Sequence, residues 1–230
     1  MESIAIITAR GGSKRIPKKN IKNFCGKPII EYSIQAALDS KIFDEVMVST
    51  DSGEIADVAV KCGAKVPFMR SEKTSDDYAT TADVITEVLN AYETMEKSFE
   101  TACCIYPTAP FVTSYKLIQA MKLLTDSDTD SVIPLVEFSY PPQRGLVIHE
   151  NRAEMKCPEY IDSRSQDLEK IYHDCGQFYC FKIASFRKTG KIMAGKISPI
   201  IIPELEMQDI DTLEDWKLAE IKYKIANNLL

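Results

Sequence analysis

Short apolar runs that alternate with helix-like segments constrain the fold of this chain most strongly. Residues 4–9 read Ile-Ala-Ile-Ile-Thr-Ala, and similar runs occupy residues 45–50, 101–106 and 131–136. An apolar run without polar alternation is typical of a strand that is buried on both faces. Because helical patterns separate these strands, we expect parallel pairing through right-handed crossovers. The sequence therefore predicts an α/β fold with a Rossmann-like, mostly parallel sheet flanked by helices.

Further helices and strands complete this prediction. Apolar residues at helical spacing predict five helices, which cover residues 28–38, 53–62, 79–97, 114–124 and 213–230. Pro28 suits the first position of the first helix, and Asp51-Ser52 is expected to cap the second. Three more extended segments are expected at residues 65–69, 177–181 and 197–202.

Residues 138–172 differ from the rest of the chain. They contain Pro141-Pro142, Gly145, Asn151 and many charged residues, with only weak helical periodicity. This pattern predicts an inserted arm or hairpin on a single domain that covers residues 1–230. The sequence shows no internal repeat and no low-complexity linker.

Charge is distributed unevenly along the chain. The 28 Lys and Arg residues against 34 Asp and Glu residues give a net charge of −6, yet the first 27 residues carry seven basic side chains and one acidic one. An acidic chain is a poor candidate for a nucleic-acid-binding surface. A local basic cluster on such a chain instead predicts one small anionic ligand.

Composition also predicts the compartment. No apolar run approaches the roughly 20 residues that span a bilayer, and the N-terminus lacks the blocks of a signal peptide. The seven cysteines form no Cys-x-x-Cys pair, so reduced thiols are expected, and the presence of only two histidines argues against a zinc site. We therefore expect a cytoplasmic protein without a membrane partner.

A basic glycine loop follows the first strand and reads ARGGSKRIPKKN over residues 9–20. Gly11 and Gly12 allow backbone amides to approach phosphate oxygens, and Arg10, Lys14 and Lys19 can neutralise phosphate charge. The loop has neither the Gly-x-x-x-x-Gly-Lys-Ser/Thr nor the Gly-x-Gly-x-x-Gly pattern, and a solvated turn is the alternative. Its position after a buried strand favours a triphosphate site.

A pair of carboxylates precedes the last helix, in the segment QDIDTLED at residues 208–215. Asp209 and Asp211 alternate across Ile210, so both carboxylates are expected on one face of an extended segment. Two such carboxylates suit Mg²⁺, which completes its coordination with phosphate and water oxygens. The alternative is that these acids cap the last helix, where Thr212 and Asp215 form a capping-box pattern.

Two other segments are rich in polar and aromatic residues. Residues 67–81 read PFMRSEKTSDDYATT and offer hydroxyl and amide groups to a ligand, although Ser75 or Asp76 could simply cap a helix and Arg70 could be a solvated loop charge. Residues 172–179 read YHDCGQFY and combine aromatic faces with polar groups that suit a sugar. The alternative for this second segment is the start of a strand with core aromatic residues.

In their order along the chain, these motifs resemble those of the CMP-sialic acid synthetase family, the cytidylyltransferases that activate nonulosonic acids. The resemblance implies a fold of the nucleotide-diphospho-sugar transferase type and a set of site residues. The implied nucleotide-binding residues are Arg10, Gly11, Gly12, Ser13, Lys19, Asn20, Arg70, Ala79 and Thr81. The implied metal ligands are Asp209 and Asp211. The implied catalytic residues are these two carboxylates together with Arg10 and Lys19. The implied sugar-binding residues are Tyr106, Asp174, Gln177 and Tyr179.

Two segments look most similar to the branch of that family that acts on pseudaminic acid. They are FCGKP at residues 24–28 and HDCGQFY at residues 173–179. Sialic acid enzymes usually have Gln-Pro-Thr-Ser-Pro where this chain has YPTAP at residues 106–110. Tyr106 thus replaces a glutamine that contacts the sugar carboxylate in those enzymes, which argues against plain sialic acid as the substrate.

The resemblance further implies a reaction and an assembly. CTP and a nonulosonic acid would give a CMP-sugar and pyrophosphate with Mg²⁺ as cofactor, and the product would serve surface glycan or flagellin glycosylation. A homodimer that exchanges the 138–172 arm is also implied, with Arg144, Arg152 and Arg164 as candidates to reach the partner's sugar site. Activation of sialic, legionaminic or a keto-deoxy octonic acid is the alternative reaction, and a nucleotide-binding module without catalysis is the alternative class.

Overall fold

The computed structural model describes residues 2–229, which form eleven strands and six α-helices. The strands are β1 (Ser3–Thr8), β2 (Asn23–Phe24), β3 (Lys27–Pro28), β4 (Glu45–Ser49), β5 (Thr101–Ile105), β6 (Ser131–Glu137), β7 (Leu146–His149), β8 (Arg152–Met155), β9 (Tyr172–Asp174), β10 (Phe178–Lys182) and β11 (Ile197–Ile201). The helices are α1 (Ile29–Ser40), α2 (Gly53–Lys61), α3 (Thr81–Thr94), α4 (Ser114–Asp126), α5 (Ile183–Thr189) and α6 (Leu213–Ala226).

Seven of the strands form one sheet in the order β11-β6-β10-β5-β1-β4, with β9 also paired to β6. Strand β1 runs parallel to both β4 and β5, and β11 runs parallel to β6. Strands β9 and β10 are antiparallel to β6, and β10 is antiparallel to β5 as well. The prediction of a mostly parallel sheet flanked by helices is confirmed, but β9 and β10, the first two strands after residue 171, run the other way. They do so because residues 138–171 return the chain to the sheet without a helical crossover.

Both faces of the sheet are covered, which explains the continuous apolar runs. In β1, Ala5 and Ile7 pack with α1, α2 and α4 on one face, whereas Ile4 and Ile6 pack with α3 and α5 on the other. All four side chains are fully buried. A strand with helices on both sides has no face on which polar alternation could occur.

Three local differences from the sequence prediction have simple causes. Residues 65–69 form no strand, and only Lys65 bridges to Met47, because Pro67 has no amide hydrogen to donate to a ladder. Strand β9 was missed because it is short and is separated from β10 by Gly176, whose φ is +61°. Helix α5 was missed because it has only seven residues.

The inserted segment contains the expected hairpin. Strands β7 and β8 pair antiparallel and are joined by Glu150 and Asn151, both with positive φ, as a tight hairpin turn requires. Leu146 and Ile148 lie two residues apart on β7 and are largely exposed. The hairpin therefore presents apolar side chains that its own chain leaves uncovered.

The seven cysteines form no disulfide within residues 2–229, and four of them are buried. Within residues 2–229, every helix is too short or too polar to cross a lipid bilayer.

Candidate active site

A cleft of about 640 Å³ opens at the carboxyl ends of β1, β4 and β5. The chain passes from β1 to β4 on one side and then crosses to β5 on the other, so the cleft lies at the switch point of the sheet, where α/β proteins bind ligands. Nine of the predicted site residues line it: Arg10, Ser13, Lys19, Asn20, Arg70, Ala79, Thr81, Tyr106 and Asp211. The cleft therefore brings together most of the predicted nucleotide-binding residues, whereas Gly11, Gly12 and Asp209 lie outside its lining.

The loop after β1 is held in place by two side chains that form hydrogen bonds with its backbone. Buried Asn20 donates from Nδ2 to the carbonyl oxygen of Arg10 at 2.8 Å, so its side chain supports the loop. The amide of Gly11 donates to Asp51 Oδ1 at 2.7 Å. A Cβ atom at Gly11 would lie 3.1 Å from Cβ of Ser52, so a larger residue would push this loop away from the end of β4.

Lys19 is the most enclosed cation of the loop. Its Nζ donates to the carbonyl oxygen of Ile210 at 2.8 Å and lies 3.8 Å from Oδ1 of Asp211. Burial lowers the pKa of Lys19, and the carboxylates of Asp211 and Asp209 oppose that shift. A partly dehydrated ammonium group exerts a stronger field on a nearby phosphate than an exposed one.

Acidic side chains pair with three other cations of this loop. Arg10 Nη1 lies 2.9 Å from Oδ1 of Asp77, and Lys14 forms an ion pair with the other oxygen of the same carboxylate. Arg15 Nη1 lies 2.9 Å from Oδ2 of Asp211. Sequence reasoning did not assign Arg15 and Asp77 a role, although both lie within the quoted motifs. A phosphate group that entered the cleft would compete with these carboxylates for the same donors.

Arg70 belongs to the cleft wall. Its Nε donates to Ser49 Oγ at 3.0 Å and its Nη2 to the carbonyl oxygen of Ser49 at 2.6 Å, which fixes the guanidinium at the end of β4. The side chain is buried, and burial lowers its pKa. The alternative of a solvated loop charge is therefore wrong. Helix α3 is capped by Thr80 in a capping box with Asp83, so the suggested caps at Ser75 and Asp76 are wrong too.

A second pocket of about 450 Å³ adjoins the cleft and shares Thr81 and Tyr106 with it. The hydroxyl groups of these two residues lie 3.3 Å apart. Asp174 and Tyr179 line the second pocket, and the Tyr179 hydroxyl donates to Asp174 Oδ2 at 2.5 Å. Burial and the Asp174 carboxylate raise the pKa of Tyr179. Three of the four predicted sugar-binding residues therefore surround one pocket next to the cationic cleft.

Gln177 differs from the other predicted sugar-binding residues. Its side chain is buried and lines neither pocket, and its Nε2 donates to the carbonyl oxygen of Glu206 at 2.7 Å. The structure therefore gives no support to the predicted contact between Gln177 and a sugar, because its amide group is engaged with the segment before Asp209.

The carboxylates before α6 fit a site for a hard divalent cation that phosphate completes. Asp211 lines the cleft, and Asp209 is exposed just outside its lining. Thr212 and Asp215 form the capping box of α6, so helix capping accounts for those two residues but not for the Asp209 and Asp211 carboxylates. Asp211 already pairs with Arg15 and Lys19, so a cation there would share its carboxylate with them. Residues 2–229 contain no cluster of three or more acidic, histidine or cysteine ligands. One or two carboxylates suffice for Mg²⁺ that is also bound by nucleotide phosphates.

A twisted α/β sheet with a cationic cleft at its switch point defines the class of nucleotide-binding transferases. Residues 4–179 match the family model described as cytidylyltransferase, and the chain belongs to this family of enzymes. It is 41% identical over 226 residues to the pseudaminic acid cytidylyltransferase of Campylobacter jejuni, covering 98% of this chain and 97% of that protein. It is 33% identical over 229 residues to the CMP-N,N'-diacetyllegionaminic acid synthase of Legionella pneumophila, with 96% and 95% coverage.

A solved structure of CMP:2-keto-3-deoxy-manno-octonic acid synthetase in complex with CTP has the same fold. The TM-score is 0.70 at 15% identity, and the match covers 99% of this chain and 100% of that one. The predicted nucleotidyltransferase type of fold and the resemblance to the CMP-sugar-acid synthetases are both confirmed.

Proposed function

We propose that this enzyme transfers the CMP group of CTP to pseudaminic acid and releases pyrophosphate. The observation that carries the proposal is the pair of adjoining pockets that share Thr81 and Tyr106. A nucleotide in the cationic cleft and a sugar acid in the second pocket would meet at these two residues. The identity of 41% to a pseudaminic acid cytidylyltransferase, over nearly the full length of both chains, supports the choice of sugar acid.

The chemistry is an in-line displacement at the α-phosphorus. The anomeric hydroxyl oxygen of the sugar acid forms the new bond to phosphorus, and the bond to the pyrophosphate oxygen breaks. The hydroxyl proton would pass to the carboxylate of Asp209 or Asp211, or to water. Such a transfer needs positioning and charge neutralisation more than a covalent nucleophile. In this proposal Arg10, Ser13 and Lys19 bind the triphosphate, with backbone amides of Gly11 and Gly12 beside them.

The nucleoside is proposed to lie against the wall between β4 and α3. Arg70, Ala79 and Thr81 line the cleft there, and they would contact cytosine and ribose. Asn20 would contribute to nucleotide binding by positioning the loop, because its side-chain amide donates to the carbonyl oxygen of Arg10. The fixed position of the Arg70 guanidinium, with two hydrogen bonds to Ser49, would reduce the entropy lost when the base binds.

Asp209 and Asp211 are the residues that would hold Mg²⁺. Bound there, the ion would neutralise charge on the phosphate oxygens during the transfer. The chain's own contribution is to place Asp211 beside Lys19 at the rim of the cleft, so that anionic and cationic groups alternate where the triphosphate would lie.

The sugar acid is proposed to bind at Tyr106, Asp174 and Tyr179. The Asp174 carboxylate is fixed by the Tyr179 hydroxyl and by the Gly176 amide, which donates to Oδ1 at 2.9 Å. A carboxylate held in this way can accept hydrogen bonds from sugar hydroxyl or amide groups in a single orientation. The same pocket is walled by Ile192 and Met193, which suit less polar substituents of a modified sugar.

Assembly and location are part of the proposal. We infer a homodimer in which the 138–172 arm contacts the partner, because the arm exposes the apolar side chains of Leu146 and Ile148. Arg144, Arg152 and Arg164 on this arm are the candidates to reach the partner's sugar pocket. A cytoplasmic location is proposed because CTP is the second substrate.

One assay tests the proposed function. Purified enzyme is incubated with CTP and Mg²⁺ and with pseudaminic, legionaminic, sialic or keto-deoxy octonic acid, and pyrophosphate release is measured. We expect the highest kcat/KM with pseudaminic acid and no release when Mg²⁺ is removed by a chelator. A preference for legionaminic acid would instead favour a CMP-legionaminic acid synthase, the activity for which the Legionella relative is named. Absence of release with every acid, despite CTP binding, would favour a nucleotide-binding module.

A further inference from the structure

A partly buried polar cluster lies behind the acidic segment, which we define as residues 206–211. Lys116 projects from α4 and is buried, with Nζ 2.6 Å from Oε2 of Glu206. The same ammonium group donates to the carbonyl oxygen of Phe111 at 2.8 Å. Neither Lys116 nor Glu206 lines the cleft or the second pocket, so substrate binding does not account for this ion pair.

Gln177 joins the cluster from the sheet side. Its side-chain amide donates to the carbonyl oxygen of Glu206 at 2.7 Å, while its own backbone carbonyl accepts from the amide of Tyr106 at 2.9 Å. Gln177 therefore connects Tyr106, which borders both pockets, with the first residue of the acidic segment. Its Oε1 atom is buried without a hydrogen-bond partner within residues 2–229, so this side chain is costly to bury.

The acidic segment is also fixed at its other end. Lys19 donates to the carbonyl oxygen of Ile210, whose side chain is buried against Trp216. From α6, Lys222 donates to the carbonyl oxygen of Met207 at 2.9 Å. The amide of Asp211 also donates to Asp215 Oδ2 at 3.1 Å. Six residues held at both ends have little freedom, so release of Glu206 at one end would loosen the support of Asp211 at the other.

Stability alone is a weak reason to keep such a cluster. A buried ion pair is often replaced by apolar residues of similar volume without loss of stability, because dehydration of both charges offsets their attraction. The ion pair with Lys116 and the hydrogen bond from the Gln177 amide instead restrict Glu206 to one position.

We propose that Lys116 and Gln177 are positioning residues that hold Glu206 and thereby orient Asp211 toward the nucleotide cleft. This proposal rests on the proposed function, because it takes from it the role of Asp211 at the bound nucleotide. It assigns no contact with substrate to either residue. Groups that orient a carboxylate ligand typically change metal affinity or activity about 10–100-fold when they are removed.

The test uses Lys116→Met, which keeps the length of the side chain and removes its charge. The conservative variant is Lys116→Arg, and the matched control is Lys122→Met, which removes an exposed charge from the same helix. We expect Lys116→Met to raise the Mg²⁺ concentration for half-maximal activity about 10-fold and to lower kcat, with little change in the KM for CTP. Lys116→Arg should recover most of the loss, and Lys122→Met should resemble the wild type.

A second measurement does not depend on turnover. Amide hydrogen exchange without ligand should be faster over residues 204–211 in Lys116→Met and in Gln177→Met, while exchange in β4 stays unchanged. Gln177→Met removes only the side-chain hydrogen bond, because Tyr106 is bound through the backbone of residue 177. This second variant keeps the proposal testable if Lys116→Met folds poorly.

The outcomes separate this proposal from the proposed function. If the wild type releases pyrophosphate but both Met variants keep its Mg²⁺ dependence and its exchange over residues 204–211, the positioning role is wrong. Uniformly faster exchange over the whole chain, with unchanged Mg²⁺ dependence, would show a purely structural ion pair and would also overturn it. If the wild type itself releases no pyrophosphate, the proposed function fails, and the exchange experiment still decides whether Glu206 is held by this cluster.

Discussion

Lys19 illustrates how a single residue links distant parts of the chain at this site. Its ammonium group contacts a carbonyl oxygen and a carboxylate that lie about 190 residues further along. Burial lowers its pKa, and the nearby carboxylates of Asp211 and Asp209 oppose that shift and favour the charged form. A cation held under such conditions is well placed to bind a phosphate group that arrives with its own negative charge.

We predict that Lys19→Met lowers kcat on the order of 100-fold and raises the KM for CTP, because a fixed charge beside the phosphates is lost. The protein should remain folded, since removal of a partly buried charge relieves its dehydration. The control is Lys18→Met, where the neighbouring lysine forms an exposed ion pair with Glu54. Steady-state kinetics and a thermal melt check both statements, and equal kinetics for the two variants would contradict the role of Lys19.

Sequence reasoning named nine of the residues that line the cleft, because the motifs carry their chemistry in residue type and order. Arg10, Lys19 and Asp211 were found in this way. Gln177 could not be placed from the sequence, because an amide suits a sugar and a buried carbonyl equally well, and only the fold shows that Glu206 lies next to it. The partners Arg15 and Asp77 needed the fold as well, since each pairs with a residue far away in the sequence.

At the scale of an element, the segment between Arg70 and α3 acts as one wall of the cleft. Asp76 accepts from the amides of Tyr78 and Ala79 at 2.9 and 2.7 Å, which gives the segment a defined turn. That turn directs Asp77 toward Arg10 and Lys14, and these two cations lower the pKa of its carboxyl group. The segment thus covers the phosphate-binding donors with a carboxylate of its own.

We predict that Asp77→Asn lowers the KM for CTP about 5-fold, because the triphosphate no longer competes with an internal anion. The effect should shrink as the salt concentration rises, since the ion pairs with Arg10 and Lys14 are exposed. Titration of CTP at two salt concentrations measures it. Glu72→Gln is the control, because it removes one negative charge from the same region outside the cleft. A higher KM in Asp77→Asn would instead show that Asp77 helps to bind the nucleotide.

The elements themselves were largely predictable, and the exceptions have physical causes. Long amphipathic helices have a periodic pattern and doubly buried strands have a continuous apolar run, and a single residue obscures neither signal. Strand direction is not encoded in such patterns, so the antiparallel orientation of β10 followed only from its pairing with β5 and β6. The short strand β9 depends on β6 for its hydrogen bonds and has no pattern of its own.

At the scale of the whole molecule, the 138–172 arm is notable because it exposes apolar side chains to solvent. Its hairpin exposes Leu146 and Ile148, which lie two positions apart and therefore on the same face of β7. A face with several exposed apolar side chains typically contacts another protein. The sequence predicted the insertion from composition, but it could not show which face of the hairpin is apolar.

We predict that the double variant Leu146→Ser with Ile148→Ser converts the proposed dimer into monomers, because the apolar face that the partner covers is lost. Sedimentation analysis measures the change, and activity should fall with it if the arm reaches the partner's sugar site. Val60→Ser, which removes an exposed apolar side chain from α2, is the control. A wild-type protein that sediments as a monomer would contradict the proposal directly.

The central position of β10 also determines the order in which this molecule can be assembled during synthesis. Strands β5 and β6 are not neighbours in the sheet, and β10 lies between them. Until residues 178–182 have left the ribosome, the strands already made form two partial sheets with open edges. The pairing of β10 with β5 joins residues some 75 positions apart, so closing the sheet is a late and non-local step. The interval before that step is when the nascent chain is most exposed to edge-to-edge association.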